Sequence, residues 1–178
     1  MHTTIYLDVD GVLNAVSKKT PALSLTGWEN WQTKPVNGWP ILYSPDMIDA
    51  LNELADRDDV TFKWLTTWTD DAAQVLSPAI GIHGETWGVL HGDQHAWGGK
   101  QGWWKLEAIR ADVATSSRGG KRFIWIDDDL SAEREACDWL RARADVLGVS
   151  PSISRGLTRG DVESIRAFIA GGVKAPTA

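Results

Sequence analysis

A single cysteine, Cys137, is all this chain contains, so an intramolecular disulfide and a cysteine-rich zinc site are both excluded. Cys137 falls in a helical pattern, where a small apolar role suits it. No apolar run is long enough to cross a bilayer, and the opening Met-His-Thr-Thr has no basic stretch leading into an apolar one. The expected location is therefore the cytoplasm, with no membrane among the partners and no sign of an obligate protein partner. Massed basic charge is missing too: 18 Lys and Arg stand against 24 Asp and Glu, for a net charge of −6. An extended nonspecific nucleic-acid surface needs clustered cations to displace counterions; a local basic rim beside an acidic centre remains compatible with this balance.

Phe and Tyr are scarce, at three and two, whereas tryptophan is abundant at eleven. Trp buries a large area and still offers an N–H, so most of these should sit in a core or line a groove. A stacking platform for bases is the second reading. At 178 residues, 43% apolar and 24% charged, the chain is expected to be one domain, 1–178, with one substantial core.

The stretch that organises the rest is Thr3-Thr4-Ile5-Tyr6-Leu7-Asp8-Val9-Asp10-Gly11-Val12-Leu13-Asn14. A β-branched and aromatic run ends in two carboxylates at i and i+2, which point the same way from a strand. Neighbouring buried carboxylates need a cation, and Mg²⁺ is the hard, oxygen-liganded ion that suits them. The same residues also read as a strand running into an ordinary Asp-Gly turn.

Residues 15–43 carry three Pro and two Gly with no clear period, which predicts a flap or small insertion over a site, with room for a short hairpin. Ser44-Pro45 opens a helix, striped by Met47, Ile48, Leu51 and Leu54. A second strand is predicted at Val60–Thr66. The next helix is expected to be capped by Thr69 and to run at most to Ser77, because Pro78 follows. Residues 81–102 are rich in Gly, His and Trp, a second candidate for a site-covering loop, with a short strand near Thr86–Leu90. The separations of His83, His91 and His95 do not match i, i+4 ligands, which argues against a histidine metal site. A helix is predicted from about Trp103 to Thr115. A third strand, Lys121–Ile126, ends in Asp127-Asp128-Asp129. Ser131 is expected to cap a helix from Ala132 to about Ala144, followed by a short strand at Val146–Val149. Thr158-x-x-Asp161 then reads as a capping box for the last helix.

Strands alternating with helices predict an α/β fold, a parallel sheet with helices on both faces. In such sheets ligands bind beyond the carboxyl ends of the strands, where Asp8, Asp10, Thr66, Thr67, Asp127 and Asp128 all fall. A phosphoryl transfer there needs a nucleophile, a metal, hydrogen bonds to the transferring group and an opposing cation. Asp8 can attack phosphorus, and Asp10 can protonate the leaving oxygen and then activate water. Thr66 can donate to a phosphoryl oxygen, with Thr67 the alternative. Asp127 and Asp128 complete an oxygen shell for Mg²⁺ with Asp8 and Asp10. The lysine is Lys100 or Lys105. Asp129 reads as a solvated acid at a helix start, Asn14 as a turn hydrogen-bonder, and Arg155 and Arg159 as surface charges.

Four motifs in this order resemble the haloacid dehalogenase (HAD) superfamily of phosphohydrolases. Asp8-Val9-Asp10-Gly11-Val12-Leu13-Asn14 is similar to its first motif, Leu65-Thr66 to its second, Lys105 within Trp103-Trp104-Lys105-Leu106 to its third, and Ile124-Trp125-Ile126-Asp127-Asp128 to its fourth. The resemblance implies a Rossmann-like fold, an Asp nucleophile, Mg²⁺ dependence and phosphomonoester hydrolysis. Trp64-Leu65-Thr66-Thr67-Trp68, Trp125-Ile126-Asp127-Asp128-Asp129 and Gly156-Leu157-Thr158 resemble small cap-poor members, among them phage and bacterial domains grouped with nucleic-acid repair phosphatases. Small insertions replace a large cap domain, so a bulky phosphorylated substrate, a nucleotide or a nucleic-acid end, is implied by analogy. The alternatives are a phosphotransferase or nucleotidase for a small metabolite and a non-catalytic binding protein on the same scaffold.

Overall fold

The computed structural model of the chain describes residues 1–16, 23–92, 102–115 and 122–171. Its main sheet is built from β1 (Thr3–Leu7), β4 (Val60–Trp64), β5 (Gly88–Val89), β6 (Phe123–Ile126) and β7 (Val146–Val149), in the order β5-β4-β1-β6-β7. Every pairing is parallel. A separate antiparallel hairpin joins β2 (Gln32–Val36) to β3 (Trp39–Tyr43). The helices are α1 (Pro45–Ala55), the short α2 (Ser77–Ile80), α3 (Trp104–Thr115), α4 (Arg134–Arg141) and α5 (Arg159–Ile169).

Alternation along the strands divides the core into two layers. Ile5, Leu7, Phe62, Trp64, Ile124 and Ile126 face one way, packing with Leu51 of α1 and Ile165 of α5. Tyr6, Phe123 and Trp125 face the other, packing with Leu106 and Ile109 of α3 and Leu140 of α4. Strands buried on both faces cannot alternate polar with apolar, which is why Phe123-Ile124-Trp125-Ile126 is apolar throughout and fully buried. Each such large side chain contributes roughly 1.5–3 kcal/mol relative to exposure.

The register then determines where the polar residues go. Leu7 is level with Trp64 on one side and Ile126 on the other. One residue further, Asp8 N–H still donates to the Ile126 carbonyl at 3.1 Å and Asp127 N–H to the Val149 carbonyl at 3.0 Å. Asp8 and Asp127 are therefore neighbours at the ends of adjacent strands, and Thr66 lies two residues beyond β4 on the other flank.

Several expected boundaries differ: β4 ends at Trp64, before Thr66, β5 is only Gly88–Val89, and α4 ends at Arg141. The segment after β4 is a π-helical turn, Ala72–Leu76, that continues through Pro78 into α2. Pro78 sits in the first turn of α2, where a missing N–H costs little, so the helix ends at Ile80 instead of Ser77. Thr69 is not its N-cap: it adopts φ 50. The helix after β6 begins at Arg134 with Glu133 at the N-cap, because Asp127 caps a preceding 3₁₀ turn, Asp128–Ser131, that takes up Ser131. The Thr158–Asp161 capping box is present. Residues 93–101, and with them His95 and Lys100, lie outside the described residues.

Candidate active site

Two carboxylates and an ammonium form the buried centre. Lys105, in the first turn of α3, places Nζ 2.6 Å from Asp8 Oδ2 and 2.7 Å from Asp127 Oδ2. All three side chains are essentially out of solvent. Lys105 reaches the strand ends because Trp103 packs on Trp125, ring centroids 4.9 Å apart, and so anchors the start of α3 over the sheet. The remaining oxygens are also bonded. Asp8 Oδ1 accepts Val9 N–H at 2.8 Å, and Asp127 Oδ1 accepts Asp129 N–H at 3.1 Å. The buried Thr66 hydroxyl lies beside Asp8, near enough to favour its charged form, and Thr67 is exposed on the wall of the neighbouring cleft.

Burial raises the Asp8 carboxyl above the ordinary carboxylate range, against the pull of Lys105. Asp127 rises to about 7, through burial first and then the Asp8 charge, with Lys105 opposing. Asp128 rises to about 6, again through burial first, then Asp129 and Asp8. Lys105 moves the other way: burial disfavours its charge, but Asp8 and Asp127 outweigh that and raise its pKa. The centre is a charge cluster with more negative than positive members, held out of water.

A raised carboxyl binds its proton more tightly folded than unfolded. The stability it contributes is complete below the ordinary value of 3.8 and is lost as pH rises through the folded value, about 6 for Asp128 and about 7 for Asp127. In chelator, the melting temperature should therefore fall between about pH 4 and pH 7 and level off above that, and Asp127→Asn should flatten that fall. Differential scanning fluorimetry across the range checks it; an equal slope in the variant would contradict the assignment to Asp127.

Asp8, Asp127 and Asp128 each bring a carboxylate oxygen within 4.8 Å of the others. This all-oxygen donor set can hold a metal ion, and hard cations prefer it. The backbone is shaped to the same end. Gly11 adopts φ 73, and a Cβ there would lie 2.2 Å from Asp128 Cγ, so only glycine lets the turn after β1 approach Asp128 this closely.

Asp10 is turned away from this group. Its Oδ1 accepts Asn14 Nδ2 at 2.7 Å and its Oδ2 accepts Trp68 Nε1 at 2.9 Å. Of the four carboxylates expected around a metal, three are gathered and Asp10 instead faces a cleft of about 880 Å³. The hairpin forms one wall with Thr33, Asn37 and Trp39; Thr67, Trp68 and Thr69 form the other. Trp39 is 68% exposed, the one exposed tryptophan among the described residues. Thr69 at φ 50 is a β-branched residue in the left-handed region, which costs about 1–3 kcal/mol and is typical of functional sites. Sequence reading missed Trp68 as a partner of Asp10. The signal was its place two residues past Thr66, on the loop that leaves the strand end.

The other expectations resolve simply. No histidine joins the acidic group among the described residues. Arg159 stacks on Trp28, guanidinium 4.6 Å from the ring centre, and donates to the Gly27 carbonyl at 3.0 Å. Cys137 is half-buried, its Sγ donating to the Leu130 carbonyl. Among the described residues no helix is long and apolar enough to cross a membrane.

Two solved structures share the fold, both of the Legionella pneumophila effector Ceg4. One carries an N-terminal TEV protease cleavage sequence (12% identity, TM-score 0.52, 94% of each chain covered). The other carries an N-terminal yeast Hog1p sequence (12% identity, TM-score 0.51, 94% of this chain and 95% of that one). No curated protein matches the chain. A family model matches residues 4–162, which include Asp8, Thr66, Lys105 and Asp127, and by that match the chain belongs to the family described as the HAD domain in Swiss Army Knife RNA repair proteins, within the HAD superfamily.

Proposed function

We propose that this domain is a Mg²⁺-dependent phosphatase that hydrolyses phosphomonoesters through an aspartyl-phosphate on Asp8, with a nucleotide or nucleic-acid end as substrate. The observation that carries this reading is the convergence of Asp8, Thr66, Lys105 and Asp127 in one buried cluster, beside a cleft that Asp10 lines. A carboxylate attacking phosphorus needs cationic and hydrogen-bonding groups already aimed at the transferring oxygens, and Lys105 and Thr66 stand beside Asp8 in that capacity.

In the first step an Asp8 oxygen forms a bond to phosphorus while the ester P–O bond breaks. Asp10 gives its proton to the departing oxygen. In the second step Asp10 takes a proton from water as that water attacks phosphorus, the Asp8–phosphorus bond breaks, and inorganic phosphate leaves. The Asp8 carboxylate and the Asp10 proton are both restored. Asp8, Asp127 and Asp128 would hold Mg²⁺, which when bound supplies positive charge to offset the carboxylates and the phosphoryl oxygens.

The substrate reading draws on the cleft and on the family. The exposed Trp39 offers a face on which a base can stack, and the family's description names RNA repair proteins. Phosphate release with Mg²⁺ from nucleotides, sugar phosphates and terminally phosphorylated oligonucleotides tests it. Turnover should be greatest on the nucleotides or oligonucleotides, and chelator should abolish it. Preference for sugar phosphates would make this a small-metabolite enzyme, and no release from any of them would favour a binding protein.

A further inference from the structure

Asp10 is held at both ends by donors from two separate parts of the fold. Asn14 belongs to the turn after β1, and its own Oδ1 accepts Leu42 N–H of β3 at 2.9 Å. With its oxygen engaged by a backbone N–H, the Asn14 amide can present only its NH₂ to Asp10, so its orientation is determined by the network. Trp68 comes from the far wall of the cleft, and an indole N–H can only donate. It lies on the loop that leaves β4, its backbone N–H donating to the Thr66 hydroxyl at 3.3 Å, and precedes Thr69 at φ 50. The indole is thus carried by the same loop that delivers Thr66 to Asp8.

A carboxyl group otherwise turns easily about its last torsion, which is broad and roughly two-fold. A carboxylate has about four lone-pair positions. The contacts at 2.7 Å to Asn14 and 2.9 Å to Trp68 occupy one on each oxygen, leaving the others to exchange a proton. From this geometry we infer that Trp68 is a positioning residue for proton transfer: its indole N–H, opposed by the Asn14 amide, fixes the Asp10 carboxyl toward the leaving-group oxygen. Trp68 acts through Asp10 and does no chemistry itself. The inference rests on the phosphatase reading above and adds a named residue to it.

Departing alcohols separate this role from a structural one. An alkoxide is a poor leaving group and needs its proton as the bond breaks, whereas p-nitrophenolate departs without one. The ratio kcat/KM reports steps up to formation of the phosphoenzyme, so it isolates the first proton transfer. Trp68→Phe keeps an aromatic ring in the wall and removes the donor. For a nucleoside monophosphate, kcat/KM should fall on the order of 10–100-fold, part of the roughly 10²–10⁴-fold that acid–base catalysis provides. For p-nitrophenyl phosphate the fall should be about tenfold smaller. Asn14→Ala removes the opposite donor and should show the same selectivity if Trp68→Phe proves too unstable to purify. Asp10→Asn sets the upper limit of the effect. Equal losses on both substrates in the Trp68 and Asn14 variants, or no loss on either, would overturn the inference. If Asp10→Asn itself lacks the selectivity, or the wild-type protein hydrolyses neither substrate, the phosphatase reading fails instead.

Discussion

Asp8→Asn should abolish phosphomonoester hydrolysis, with a fall in kcat of at least about 10³-fold, because it removes the attacking oxygen and leaves no second nucleophile in its place. The fold should survive. The amide oxygen introduced by the substitution can still accept Val9 N–H, which now bonds Asp8 Oδ1 at 2.8 Å, and Lys105 keeps Asp127 at 2.7 Å. Burial is the main reason Asp127 is raised, and removing the Asp8 charge relieves the repulsion that adds to it. Phosphate release and thermal unfolding, measured on the same preparation, separate chemistry from stability. A variant that unfolds normally and turns over at the wild-type rate would contradict the assignment of Asp8.

Lys105→Met should be the most damaging change to stability. Methionine keeps most of the unbranched stem but leaves Asp8 and Asp127 facing each other without the cation that now lies 2.6 and 2.7 Å from them. Breaking a buried ion pair by removing one partner costs about 3–5 kcal/mol, which for a chain of this size lowers the melting temperature on the order of 10 °C. Protonation of the carboxylates limits the loss, so it should be smaller at low pH than at high pH. A divalent cation should recover part of the stability by taking over the missing positive charge, yet activity should stay low because the donor to the phosphoryl group is gone. A midpoint within about 1 °C of wild type at neutral pH would be incompatible with a cost of that size.

The sheet was legible because its strands are buried on both faces. Ile5-Tyr6-Leu7 and Phe123-Ile124-Trp125-Ile126 are apolar runs with abrupt acidic ends, and the parallel register then brings Asp8 beside Asp127. Lys105 was harder to single out. Its helix carries apolar residues on more than one flank, and only the packing of Trp103 on Trp125 aims the ammonium at the strand ends. The hairpin had a local signal in Asn37-Gly38, whose φ values of 49 and 80 suit a tight two-residue turn, although the surrounding Pro and Trp residues obscure its period. Two helix starts, after β4 and after β6, were not legible. Ser131 is a good N-cap by residue type, yet Asp127, placed by the sheet, caps an earlier 3₁₀ turn and moves the helix onward to Arg134.

The orientation of Asp10 could not be read from spacing. An i, i+2 pair on an ideal strand shares a face, but β1 ends at Leu7 and the chain turns at once: the N–H groups of Val12, Leu13 and Asn14 all donate to the Val9 carbonyl. That turn separates the two acids, leaving Asp8 with Lys105 and sending Asp10 to the cleft and Trp68. The division of labour proposed for them follows from this geometry, since a nucleophile belongs beside the buried cation and a proton donor beside the departing alcohol.

The most direct measurement is to trap the covalent intermediate. Asp10→Asn, mixed with a radiolabelled phosphomonoester bearing a good leaving group and quenched in acid, should retain labelled phosphate on the protein. Peptide mapping should place it on Asp8, and neutral hydroxylamine should release it, as expected for an acyl phosphate. Label on another residue, or steady turnover by the wild-type enzyme with no label ever bound to protein under rapid quench, would contradict an aspartyl-phosphate at Asp8.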